Sequence, residues 1–144
     1  MSRKDREAGY TLTEMLVVIG IIGLIAAVLT PTLMGQMTRA RAKAAQLQLK
    51  NVSAAVELFK EDVGRYPTAA EGLTVLITAP PSAANWTGPY VEDANALNDP
   101  WGQQIQYTPA ANGRRYVVKS LGADGEVGGK GADRDLTYPA LAAP

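Results

Sequence analysis

The sequence contains no cysteine and no histidine. The first absence excludes disulfides, thiol nucleophiles and thiolate metal centres. The second removes the commonest zinc ligand and the side chain most used as a general base. Any catalytic site would have to be built from carboxylates or a Ser/Lys pair, so the expectation is that the chain is not an enzyme. An excess of charge of one sign is also lacking, because 14 Lys and Arg balance 14 Asp and Glu. No basic run interleaved with aromatic residues occurs, so a nucleic-acid partner is not expected. At 144 residues there is room for one small domain and one accessory segment. If such a domain is exported without disulfides, its loops must be held by packing or by a bound metal.

What is present begins with a short polar leader. Residues 1–9 set Arg3, Lys4 and Arg6 against Asp5 and Glu7, and an uncharged apolar run follows over 15–29. That run alone falls short of the ~20 residues a membrane-spanning helix needs, and Leu12 through Met34 must be counted to reach it. A secretory signal peptide starts in the same way. Against that reading, no small-x-small site follows Leu29, and Thr30-Pro31-Thr32-Leu33-Met34-Gly35 leads straight into more helix. Glu14 also stands at the head of the apolar run, where a signal peptide has no use for a carboxylate.

From Arg39 the pattern becomes amphipathic. Ala42, Ala45, Leu49, Val52, Val56, Phe59 and Val63 form one apolar stripe, while Arg39, Arg41, Lys43, Gln46, Lys50, Glu57 and Glu61 occupy the other faces. Gly64 ends the helix and Tyr66-Pro67 prevents its resumption. If Pro31 only kinks the chain, 13–63 is one rod of about 50 residues, roughly 75 Å long. A helix apolar all round in its first half and one-sided in its second leaves a membrane, or a filament core, and docks on a globular domain.

That domain occupies 65–144. Residues 71–78 read as a short helix stopped by Pro80-Pro81, and 82–101 as a loop-rich crossing. Two strand-like runs, 104–108 and 115–119, flank Asn112-Gly113, a hairpin signal because both residues tolerate positive φ. The stretch 122–131 is too rich in glycine for regular structure, and an Ala/Pro tail follows from Pro139. The expected class is therefore α+β: a long N-terminal helix packed on a small domain with a short antiparallel sheet.

Three places carry chemistry. A charge at Glu14, at the edge of lipid or of a filament core, costs on the order of a few kcal/mol unless partnered. The bland alternative is a first-turn carboxylate favoured by the positive end of the helix. Pro31 costs a helix interior about 3 kcal/mol and marks either a kink or simple punctuation between anchor and domain. Asp124, Asp133 and Asp135 flank the glycine-rich loop. Calcium takes oxygen ligands from carboxylates and backbone carbonyls, but loops also use aspartate for turns, and spacing leaves both readings open. Trp86, Tyr90 and Trp101 allow a carbohydrate platform or ordinary packing beside turn prolines.

The segment Gly9-Tyr10-Thr11-Leu12-Thr13-Glu14, followed at once by the apolar run, resembles the class III signal of type IV pilins and pseudopilins. Pro31-Thr-Leu-Met-Gly35, Arg65-Tyr-Pro-Thr68 with Glu71-Gly-Leu73, Asp99-Pro-Trp-Gly102 and Ser120-Leu-Gly-Ala-Asp-Gly125 are similar to the major pseudopilins of type II secretion. The resemblance implies removal of 1–9 by a prepilin peptidase cutting between Gly9 and Tyr10, N-methylation of Tyr10, and pairing of Glu14 with a neighbour's terminal amine. It implies a hydrophobic helix over 10–38, an amphipathic one over 39–64 and a periplasmic domain over 65–144. The implied partners are further copies in a homopolymer, minor pseudopilins, the inner-membrane assembly platform and the lipid bilayer. One calcium is implied in the loop, held by Asp124, Asp133 and Asp135 with carbonyls of Leu121 and Glu126. A type IV pilin of adhesion or motility and a non-polymerising calcium-dependent binding module are the alternatives. The C-terminal cysteine pair usual in the former is absent.

Overall fold

The computed structural model describes residues 10–111 and 113–139. The leader with Gly9, Asn112 of the hairpin turn and the tail beyond Pro139 lie outside the described residues. The chain divides into two compact units, Met1–Met37 and Thr38–Pro144.

One helix, α1, runs over Leu12–Val63. It starts where Thr11 supplies a cap: the Glu14 amide donates to Thr11 Oγ1 at 3.2 Å, satisfying one of the free amides of the first turn. Pro31 lies inside the helix. It has no amide to offer the carbonyl one turn back. Beside that gap, Thr30 Oγ1 donates to the Ala26 carbonyl at 2.6 Å. The helix stops at Gly64, which takes a φ of 81° and donates its amide to the Lys60 carbonyl at 2.8 Å.

In the second unit the expected stripe is the core. Ala45, Leu49, Val52, Val56 and Phe59 are buried, while Ala42 and Val63 at its ends are half-buried. The stripe packs with Leu73, Val75, Leu76, Leu97, Ile105, Tyr116, Val118 and Leu136. Ser53 is buried on the same face and shares a 2.5 Å hydrogen bond with the Tyr116 hydroxyl, which also donates to Glu57 at 3.0 Å. A polar group is thereby held inside without loss of a partner. The aromatic residues of the crossing turn inward rather than forming a platform. Trp86 Nε1 donates to the Val75 carbonyl at 2.8 Å, and Tyr90 sits edge-on to both Phe59 and Trp86.

The helix expected over 71–78 is corrected to a single 3-10 turn, Thr74–Leu76. Thr68 and Glu71 make a reciprocal capping box, but Gly72 then takes a φ of 59°, which a continuing right-handed helix does not allow. The sheet has order β1-β2-β3, with β1 at Gln106–Pro109, β2 at Tyr116–Ser120 and β3 at Leu136–Tyr138. Both pairings are antiparallel, with Tyr107 opposite Val118 and Ser120 opposite Leu136. The two expected strands lie one or two residues further along than their residue pattern suggests. Gln104 makes only an isolated bridge to Asn98. The turn is also longer than a two-residue hairpin, closed by the Ala110 amide on the Arg115 carbonyl at 2.8 Å, with Gly113 at a φ of 62°.

Candidate functional site

The first candidate is the start of α1. Sixteen large apolar side chains between Tyr10 and Met37 stand 41–83% exposed. At ~1.5–3 kcal/mol for each one fully buried, covering them is worth tens of kcal/mol. An 18-residue window of the helix reaches a mean hydropathy of 2.6 and none of it is buried, so the segment is long and apolar enough to cross a membrane. Within this row Glu14 is exposed, and its carboxylate has no partner among the described residues. Only its backbone amide is used, in the Thr11 cap. Pro31 sits further along the same exposed stretch.

The second candidate is the loop between β2 and β3. Its base is built by Asp99, a buried carboxylate at the head of the Asp-Pro-Trp-Gly turn. Asp99 Oδ1 accepts the amides of Trp101 at 3.0 Å and Gln103 at 2.9 Å, and Oδ2 accepts the Ser120 hydroxyl at 2.6 Å. Ser120 Oγ in turn accepts the Gly122 amide at 3.3 Å, tying the turn to the loop. Gly122 has a φ of 76°, and a Cβ there would lie 2.7 Å from the Asp133 carbonyl carbon. Only glycine lets the two ends of the loop approach this closely. The Ala123 amide then meets the Ala132 carbonyl at 3.0 Å.

The acidic side chains divide by role. Asp124 Oδ1 accepts the Glu126 amide at 3.1 Å, an Asx turn that leaves the carboxylate exposed. Asp133 forms no side-chain hydrogen bond or ion pair among the described residues. Asp135 is committed on both oxygens: Oδ1 accepts the Gly128 amide and Oδ2 pairs with Lys119 Nζ, each at 3.1 Å. Leu121 and Glu126 lie in the same loop. No group of three acidic side chains stands assembled to hold a metal among the described residues. In chemistry the donor set fits a hard cation, being all oxygen with the charges of Asp124 and Asp133 unpaired. The roles of Asp99, Gln103, Ser120 and Lys119 were not read from the sequence. An aspartate opening a Pro-Trp-Gly turn was the one available signal.

A third cluster stabilises the chain just after the helix. Arg65 donates two hydrogen bonds to Glu71, at 2.8 and 2.7 Å, and the Thr68 amide and hydroxyl add two more. The Arg65 bonds are the main reason the Glu71 carboxyl is held down to about 2 from an ordinary 4.5. A carboxyl lowered by folding stabilises the fold above its unfolded pKa, and that contribution is lost as pH falls through the folded value. Glu71→Gln is therefore expected to be less stable than the parent at pH 7, with the gap closing between about pH 4.5 and pH 2. Urea midpoints across that range check this, and a pH-independent gap would contradict it.

The family described as Type II secretion system (T2SS), protein G matches residues 32–138. The chain belongs to the type II secretion protein G family. The prokaryotic N-terminal methylation motif matches residues 4–30 ahead of it. Among relatives, the type II secretion system core protein G of Escherichia coli K12 is 37% identical over 133 residues, 89% of this chain and 90% of that protein. The core protein G of Xanthomonas campestris is 33% identical over 132 residues, 92% of this chain and 90% of that protein. The crystal structure of the major pseudopilin from the type 2 secretion system of enterohaemorrhagic Escherichia coli superposes with a TM-score of 0.58. It is 26% identical and the match covers 77% of this chain and 96% of that one. This protein G family member therefore has the α+β pseudopilin fold and is a structural subunit of the type II secretion pseudopilus.

Proposed function

We propose that the chain is cut between Gly9 and Tyr10, is held in the inner membrane by the apolar part of α1, and polymerises through that same segment into a periplasmic rod that drives export of folded proteins. The observation that carries this reading is the exposed apolar stretch from Tyr10 to Met37 with a single carboxylate near its start, Glu14, which has no partner among the described residues. Lipid covers such a surface before assembly, and neighbouring helices cover it afterwards. Cleavage frees an amine at Tyr10, cationic near neutral pH and still cationic after N-methylation. A neighbour's amine is the partner that removes the cost of burying Glu14. The mechanism is mechanical: a prepilin peptidase prepares the subunit, the inner-membrane platform extracts it, and minor pseudopilins act beside it in the rod. In the loop, Asp124, Asp133 and Asp135 with the Leu121 and Glu126 carbonyls would hold calcium, which supplies positive charge that draws the acidic ends together.

Glu14→Ala tests the reading. Membrane insertion is expected to persist, because the apolar run is untouched, while filament yield falls at least about tenfold. Intact mass of the parent should show a chain beginning at methylated Tyr10. Normal filaments from Glu14→Ala would mean that α1 is only an anchor.

A further inference from the structure

The part of α1 that follows its apolar stretch is basic and has no counter-charge in the helix around it. Between Glu14 and Glu57 the chain has no Asp or Glu, and its cations there are Arg39, Arg41, Lys43 and Lys50. All four are exposed, and none takes part in an ion pair among the described residues. Arg39 follows the exposed Met37 by two residues, so chain length alone keeps it within ~7 Å of the apolar stretch. The first buried position of α1 is Ala45, so the three leading cations stand ahead of the core stripe.

Their spacing decides the shape of the charge. At ~3.6 residues per turn, Arg39 and Lys43 lie within ~40° of each other and Arg41 lies ~160° from both. Along the axis the three span only ~6 Å. That is a thin belt present on both sides of the helix, not a patch on one face. A protein partner covers one face of a helix, whereas the headgroup layer of a bilayer surrounds it. Each such layer is ~5–7 Å deep outside a ~30 Å hydrocarbon core, which matches the depth of the belt. Lys50 stands seven residues past Lys43, ~10 Å further along, and falls outside that layer.

The belt also runs against the bias that orients a spanning helix. Flanking cations favour the side that stays uncrossed, and Arg39, Arg41 and Lys43 on the far side oppose Arg3, Lys4 and Arg6 of the leader. A favourable contact on the far side offsets that cost. Guanidinium groups pair with phosphate oxygens through two parallel hydrogen bonds, and an ammonium adds a point charge.

We propose that Arg39, Arg41 and Lys43 form a cationic belt that binds anionic phospholipid headgroups on the periplasmic face of the membrane before assembly. The inference rests on the membrane-anchored reading above and adds the class of lipid and the residues that select it.

The test uses the processed full-length chain in phosphatidylcholine bilayers, with spin-labelled phosphatidylglycerol or phosphatidylcholine as the probe. Lipid held at the protein surface is expected to favour phosphatidylglycerol about fivefold, the effect of one cation close to an anionic headgroup. The preference should persist in millimolar inorganic phosphate at fixed ionic strength, and shrink in ~1 M salt, where the Debye length is ~3 Å. Arg39→Gln, Arg41→Gln and Lys43→Gln combined should abolish it. Lys50→Gln should leave it unchanged, and Arg39→Lys with Arg41→Lys should retain most of it. Flotation with the vesicles checks insertion of every variant. A parent that floats but holds both lipids equally would overturn the belt and leave the anchor intact, as would a preference that survives the triple variant. Displacement by inorganic phosphate would make the cations a free-phosphate site instead. Equal lipid affinities with filaments lost in the triple variant would assign them to an acidic protein face instead. A parent that does not float would remove the anchored reading and this contact with it.

Discussion

Phe59→Ala is expected to lower the stability of the folded unit by about 3–5 kcal/mol. Phe59 is fully buried in the middle of the α1 stripe, so truncation leaves a cavity in addition to losing transfer energy. Its ring also supplies an edge-to-face partner for Tyr90 at 6.0 Å, and the Arg65 guanidinium lies 5.9 Å from its centroid. A domain of this size has only ~5–15 kcal/mol in hand. The melting temperature should therefore fall by ~15 °C or more. Leu58→Ala is the matched control: it is the adjacent residue on the same helix and the same truncation of a large apolar side chain, but it is half exposed. A change within about 0.5 kcal/mol is expected there. Urea denaturation followed by circular dichroism compares the two. Equal losses would mean that the stripe facing the sheet is not the core.

The helix was legible because its signal is long and redundant. The spacing from Ala45 to Phe59 repeats at every turn, so no single residue has to be interpreted correctly. The shorter elements offered no such redundancy. Residues 71–78 read as a short helix, yet one left-handed glycine at Gly72 decides the outcome. The strand Leu136–Tyr138 is three residues long and exists through its pairing with β2, which no local pattern announces. The loop shows the same limit. Its acidic residues were visible, but residue type does not say that Asp135 is taken by Lys119 while Asp124 stays open to solvent. Nor does it say that Asp99, distant in sequence, forms the base of the loop through Ser120.

That division of the carboxylates decides how calcium should act. A cation that binds only the folded loop adds RT ln(1 + [L]/Kd) to stability, about 2.7 kcal/mol at 100 times Kd. A fragment beginning at Thr38, the start of the second unit, is expected to melt ~10 °C or more higher in saturating calcium than in chelator. Magnesium should do less, because it is smaller, insists on octahedral geometry and gives up water reluctantly. Asp124→Ala is the diagnostic variant. Among the described residues its side chain makes one hydrogen bond, the Asx turn to the Glu126 amide, so its loss should erase the calcium shift and leave the chelator melting point nearly unchanged. Asp135→Ala is less informative, since it also breaks the Lys119 pair and the Gly128 hydrogen bond and should lower the melting point with or without calcium. Identical melting of the parent in calcium and in chelator would make Asp124 and Asp133 turn residues. The loop would then be held by Gly122 packed against the backbone of Asp133, the Lys119–Asp135 pair and the Asp99–Ser120 bond.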